Sequence, residues 1–181
     1  SGAVPGRSGM HPWATANRCA VFRSGYLELI GVVDSAAFNP WQRFIDRYEG
    51  LHLLALRCTN ADAAYDALKT RATFLAPPVE RERKLTYRGE ECTMRFRNIF
   101  SRDAACPEAR YIVIEHQTPD LLWQPELMVH ENGACALKGA TIVADDPAVR
   151  ERLAALDDIP AVENPAAFAD RYRSEEHTSE L

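Results

Sequence analysis

A glutamate in the middle of an otherwise apolar strand, Glu28 in "GYLELIGV", is the residue most suited to chemistry. A carboxylate there is costly unless a metal, an arginine or hydrogen-bond donors compensate it. Compensated, it can deprotonate or bind a ligand; the bland alternative is a Glu paired with Arg95, Arg97 or a backbone donor. Upstream, "HPWATANR" gathers His11, Thr15 and Asn17. Thr15 and Asn17 offer neutral donors and acceptors to a substrate carbonyl, or fix the entry of the strand. Arg95 and Arg97 share one strand face and suit either an anionic substrate or solvent. His116 and His130 flank a long connection and read as loop packing.

The elements that position these residues follow from periodicity. Residues 17–22 and 25–33 read as two strands joined by the turn "RSG", with Tyr26, Glu28 and Ile30 on one face and Leu27 and Leu29 on the other. "NPWQRFIDRYEG" reads as a helix capped by Asn39, started by Pro40 and stopped by Gly50, its stripe of Trp41, Phe44, Ile45 and Tyr48 facing the core. Residues 51–57 form a short strand leading into an Ala-rich helix capped by Thr59 or Asn60. A hairpin turning at "RGEE", a strand at "RYIVIEH" and an irregular connection with Trp123 and Pro125 follow. "ALKGATIVADDPAVRERLAAL" repeats the order strand, Asp turn, helix, with Asp146 as cap, Pro147 in the first turn, and Val149, Leu153 and Leu156 facing inward.

Bulk composition narrows the class. The 181 residues suit one ordinary domain, and 46% hydrophobic with 26% charged residues is the balance of a globular chain. A net charge of −5 without a basic stripe argues against nucleic acid or an anionic membrane as partner. No apolar run approaches the roughly 20 residues of a membrane span. Five scattered cysteines with no C-x-x-C favour reduced thiols, a cytoplasmic location and no cysteine-built zinc site.

The ordered set "HPWATANR", "GYLELIGV", "LALRCTNADAAYDAL", "YIVIEHQTPDLLWQPE" and "HENGA" resembles the glyoxalase-like domain proteins of bacteria, within the vicinal oxygen chelate superfamily. The resemblance covers roughly residues 9–156. It implies an α+β fold of βαβββ units forming a curved, half-open mixed sheet, incomplete at both ends. Expected segments are a flexible start at 1–9, an incomplete first unit with its linking helix at 10–48, a complete second unit with a long connection at 49–134, and the start of a third at 135–172. Residues 173–181, "RSEEHTSEL", look like a translated sequencing adapter, so the object is expected to be a gene fragment.

By the same resemblance, metal ligands would come from the first and last strands of each unit, often a His and a Glu. Glu28 matches one such position, as metal ligand or catalytic acid–base, and His11 lies in a segment where the family also carries a His before a Trp. The second unit's positions fall on Leu53, one step from His52, and on Val113, with Glu115 two residues on. The third unit's first-strand position is Lys138. The pocket candidates are therefore Glu28, His11, Thr15, Asn17, Arg95 and Glu115, and a divalent metal is an option without a full ligand set. The expected activity is that of a lyase, isomerase or dioxygenase acting on a small oxygenated or carbonyl molecule. The alternative is a non-catalytic, drug-sequestering protein of the same fold. A homodimer of the full-length protein is compatible with both.

Overall fold

The computed structural model describes residues 7–10, 15–137 and 139–156. Two open sheets carry the fold. The first has three antiparallel strands in the order β1 (Arg7–Met10), β2 (Thr15–Phe22) and β3 (Gly25–Val32). β1 takes up residues expected to be loose as far as Gly9: pairing Gly9 with Asn17 and Met10 with Ala16 gives a Gly- and Ser-rich stretch a strand geometry that its composition does not advertise.

The second sheet is the βαβββ unit itself. β4 (Leu53–Cys58) runs into α2 (Ala61–Leu68), followed by β5 (Val79–Tyr87), β6 (Glu90–Phe100) and β7 (Arg110–His116). The strand order β4-β7-β6-β5 is mixed, with β4 parallel to β7 and the other pairs antiparallel. Asn60 supplies the cap of α2, its side chain accepting from the Ala63 amide at 2.9 Å. The hairpin of β5 and β6 turns on Arg88 and Gly89, both at positive φ (52° and 84°), the pair that a tight two-residue hairpin requires.

The helix expected at "NPWQRFIDRYEG" is a single turn, α1 (Gln42–Ile45). Asn39 does hold the Trp41 amide (2.9 Å), and Gly50 ends the segment at φ 154°. Only Phe44 of its stripe is fully buried, because Tyr48 is drawn out to hydrogen-bond the carbonyls of Leu51 and Glu108.

The helix of the expected third unit forms as α3 (Pro147–Ala154), with Asp146 accepting from the Ala148 amide and Val149, Leu153 and Leu156 buried. Its expected strand does not. Residues 139–144 pack Ile142 and Ala144 into the core without strand pairing, and a cleft of about 700 Å³ lies between them and Leu53 and Leu54 of β4.

The two faces of the second sheet bury different cores. Leu54, Leu56, Tyr111, Val113 and Ile99 pack under α2 and α3. The opposite, inner face brings Leu85, Met94 and Phe96 against Cys19, Val21 and Tyr26 of the first sheet, closed over by Leu122, Trp123 and Leu127. The long connection is fastened there: Trp123 Nε1 donates to the Phe22 carbonyl (3.0 Å) and His130 Nε2 to that of Val21 (2.8 Å). The central strands β6 and β7 therefore have one face toward α2 and the other toward the first sheet and the long connection.

Candidate functional site

Alternation places Thr15, Asn17, Cys19 and Val21 of β2 on the inner face, where all four are buried. On β3 the inner residues are Tyr26, Glu28 and Ile30, each half-buried, while Leu27 and Leu29 stand exposed on the outer face. Register sets Glu28 directly opposite Cys19 and Ile30 opposite Asn17.

Glu28 is held by hydrogen bonding. Asn17 donates from Nδ2 to Glu28 Oε1, and Arg83 of β5 donates from Nη2 to Asn17 Oδ1 at 2.9 Å. Both ends of the Asn17 amide are thus engaged, its orientation is fixed, and the second sheet is tied to the carboxylate of the first. The Glu28 charge is felt around it. The Cys19 thiol is pushed up to about 12 by burial and then by Glu28, and the Tyr26 phenol is raised by the same two causes. Both groups are neutral near pH 7, so among the described residues the charged groups at this end of the inner face are Glu28 and Arg83.

Beyond Tyr26 lies an aromatic group. The His116 ring meets Trp123 at 4.8 Å between centroids, Phe96 at 5.6 Å and Tyr26 at 6.1 Å, each nearly edge-on. Arg57 stands 5.4 Å over the Trp123 ring. Burial, reinforced by the Arg57 charge, pushes the His116 imidazole down to about 4.

Among the residues expected from sequence the structure brings Asn17 to Glu28, while Thr15 shares their face but sits at the far end of β2, opposite Val32. His11 lies outside the described residues. Arg95 and Glu115 are not brought to Glu28: they occupy the helix-side face of β6 and β7. There Glu115 accepts the Ala61 amide (2.8 Å) at the start of α2, and Arg97 forms a two-pronged pair with Asp62 (2.6 and 2.8 Å). His52, just before β4, donates to the Tyr48 carbonyl (2.7 Å). Sequence reasoning missed Arg83, Cys19 and His116. Arg83 is hidden in "ERERK", which reads as a solvated charge run, although its alternation with Leu85 and Tyr87 is a usable signal that it faces inward.

Among the described residues no three metal-ligating side chains converge. Glu28 accepts from the Asn17 amide and lies beside the Cys19 thiol and the Tyr26 phenol, surroundings that orient a carboxylate. Nor does any described helix have the length and apolarity to cross a membrane.

No curated protein matches the chain. The model of the glyoxalase-like domain matches residues 2–156, which is most of the sequence and includes both the βαβββ unit and the Glu28 strand. The chain belongs to the glyoxalase-like domain family.

Proposed function

We propose that this glyoxalase-like domain acts on a small oxygenated or carbonyl molecule between its two sheets, with Glu28 moving a proton. The observation that carries the reading is the relay Arg83–Asn17–Glu28. A carboxylate on an inner face, oriented by a buried amide that is itself clamped, is prepared to take a proton from a carbon next to a carbonyl and return it. The Asn17 donor holds the carboxylate in place before and after the transfer, so little reorganisation accompanies the step. Thr15 is buried on the same face, two residues from Asn17. An isomerase or lyase fits this arrangement; a dioxygenase needs a metal, for which Glu28 alone is a proposed ligand.

The aromatic lining of His116, Phe96, Tyr26 and Trp123 favours a second reading, a protein that binds a planar molecule without transforming it. Either reading goes with a cytoplasmic protein, supported by five free cysteines, and with residues 49–134 as the complete unit.

The test is solvent deuterium exchange into a panel of enolisable carbonyl compounds, followed by proton NMR. Wild type is expected to label at least one of them and Glu28→Gln none. Saturable binding with no labelling of any compound would leave the binding-protein reading in its place.

A further inference from the structure

The last residue of β7 poses a problem of its own. His116 is enclosed by three aromatic rings, and among the described residues both Nδ1 and Nε2 are out of contact with solvent and without a hydrogen-bond partner. A neutral imidazole carries one donor and one acceptor, and leaving such groups unpaired in a protein interior is unfavourable and uncommon. Filling an aromatic cluster does not need them, since a phenylalanine would pack there without polar atoms. Beside it, β4 presents a cation. Arg57 pairs in register with Ile114, two residues before His116, so both side chains leave the same face of the sheet. Arg57 is exposed and stands over the face of Trp123. The indole touches Arg57, His116 and Tyr26 alike. Glu28 lies two residues from Tyr26 on the same face of β3, about 7 Å along the strand.

We infer that Arg57 and His116 form an anion subsite that takes the carboxylate of a small planar acid, a 2-oxo acid or an aromatic acid, and aims its carbon skeleton at Glu28. The inference rests on the reading that the Glu28 face is the ligand face. Arg57 offers a planar fork that matches a carboxylate, and a neutral His116 donates a single N–H to one of its oxygens. The rings of Trp123 and Tyr26, both packed on the imidazole, flank the planar body. At one end Arg57 binds the ligand's charge, and at the other the carboxylate of Glu28, tied through Asn17 to Arg83, meets its reacting carbon.

The full chain is titrated with benzoate and pyruvate, and with their neutral isosteres benzamide and pyruvamide, while the indole N–H signal of Trp123 and the ring protons of His116 are followed by NMR. At least one carboxylate is expected to move these signals saturably and to bind about tenfold tighter than its amide. Arg57→Gln should erase that preference, His116→Phe should weaken it severalfold, and Glu28→Gln should keep it while abolishing deuterium exchange. The inference is overturned if neither carboxylate is preferred over its amide, or if the preference survives Arg57→Gln. Carboxylate preference without exchange in wild type would sink proton transfer and leave the subsite standing. Exchange without carboxylate preference would do the reverse.

Discussion

Glu28 faces Cys19 across the β2–β3 ladder, yet its carboxylate reaches diagonally to the amide of Asn17. The diagonal matters because Asn17 is 4% exposed and its oxygen is already committed to Arg83. Asn17 is thus the joint between the two sheets as well as the orienting group for the acid. Asn17→Ala is expected to leave Glu28 and Arg83 each short of a partner and to cost about 1–3 kcal/mol. Asn17→Asp should be worse, since it sets a second carboxylate beside the first with no donor between them. Urea unfolding of the three proteins checks the order; an Asn17→Asp variant as stable as wild type would contradict it.

Residue Glu115 makes the opposite case, an acid whose position in the fold is local. It accepts the Ala61 amide at the first turn of α2, so Glu115→Ala should destabilise by about 1 kcal/mol, as loss of a helix cap does. Its face is turned away from Glu28, and ligand affinity at the inner face should be unchanged. Calorimetric titration alongside a melting curve separates the two effects, and a large loss of binding at unchanged stability would bring Glu115 back as a pocket residue.

These two acids also show what was legible in the sequence. Period-two alternation in "YLELI" suffices to put Tyr26, Glu28 and Ile30 on one face, whereas Thr15 joins Asn17 only because β2 starts two residues earlier than the expected 17–22. In "RYIVIEH" it does not suffice, because a central strand covered on both faces is apolar throughout. Tyr111, Ile112, Val113 and Ile114 are all buried, so nothing in their types says which set faces the helices. A step of one residue exchanges the faces. Counting from Val113 leads to Glu115 and the helix side, whereas the inner set is Ile112, Ile114 and His116. The missing strand at 139–144 has a similar origin: its apolar residues announce burial, and Ile142 is used in the core, but burial alone does not specify pairing with β4.

Beside the buried Val149, Leu153 and Leu156, α3 is fastened by one polar cluster. Arg152 Nε donates to Glu108 Oε1 at 2.7 Å, and the Tyr111 hydroxyl donates to the same oxygen at 2.9 Å. Arg152→Met keeps the aliphatic stem and removes the charge, leaving Glu108 with the phenol alone. We expect a loss of about 1–3 kcal/mol and faster amide hydrogen exchange in α3 than in β7. Equal acceleration in both elements would mean that α3 and the sheet open as one unit.

His116 makes stability depend on pH. Its folded pKa, about 4, lies below the value of about 6.5 expected in the unfolded chain, so the unfolded state binds the extra proton first. The stability associated with a neutral imidazole is therefore present above pH 6.5 and is lost progressively as pH falls toward 4. His116→Phe removes this proton linkage. Wild type should lose more of its unfolding midpoint than His116→Phe between pH 7 and pH 4.5, and parallel curves would show that the imidazole is not held neutral by its surroundings.

The decisive variant remains Glu28→Gln. A glutamine at 28 keeps an oxygen to accept the Asn17 amide and loses only the charge, so the β2–β3 contact survives. Its stability should stay within about 1 kcal/mol of wild type. Glu28→Leu removes the acceptor, strands a buried amide donor and should cost about 1–3 kcal/mol. Proton transfer has the opposite dependence, because it needs a group that ionises, and should be lost in both. Melting curves and deuterium exchange on the three proteins therefore give two different orders if Glu28 is a working acid–base. If Glu28→Gln melts as early as Glu28→Leu while exchange persists, the negative charge is there to hold the fold, and the proton-transfer role is lost.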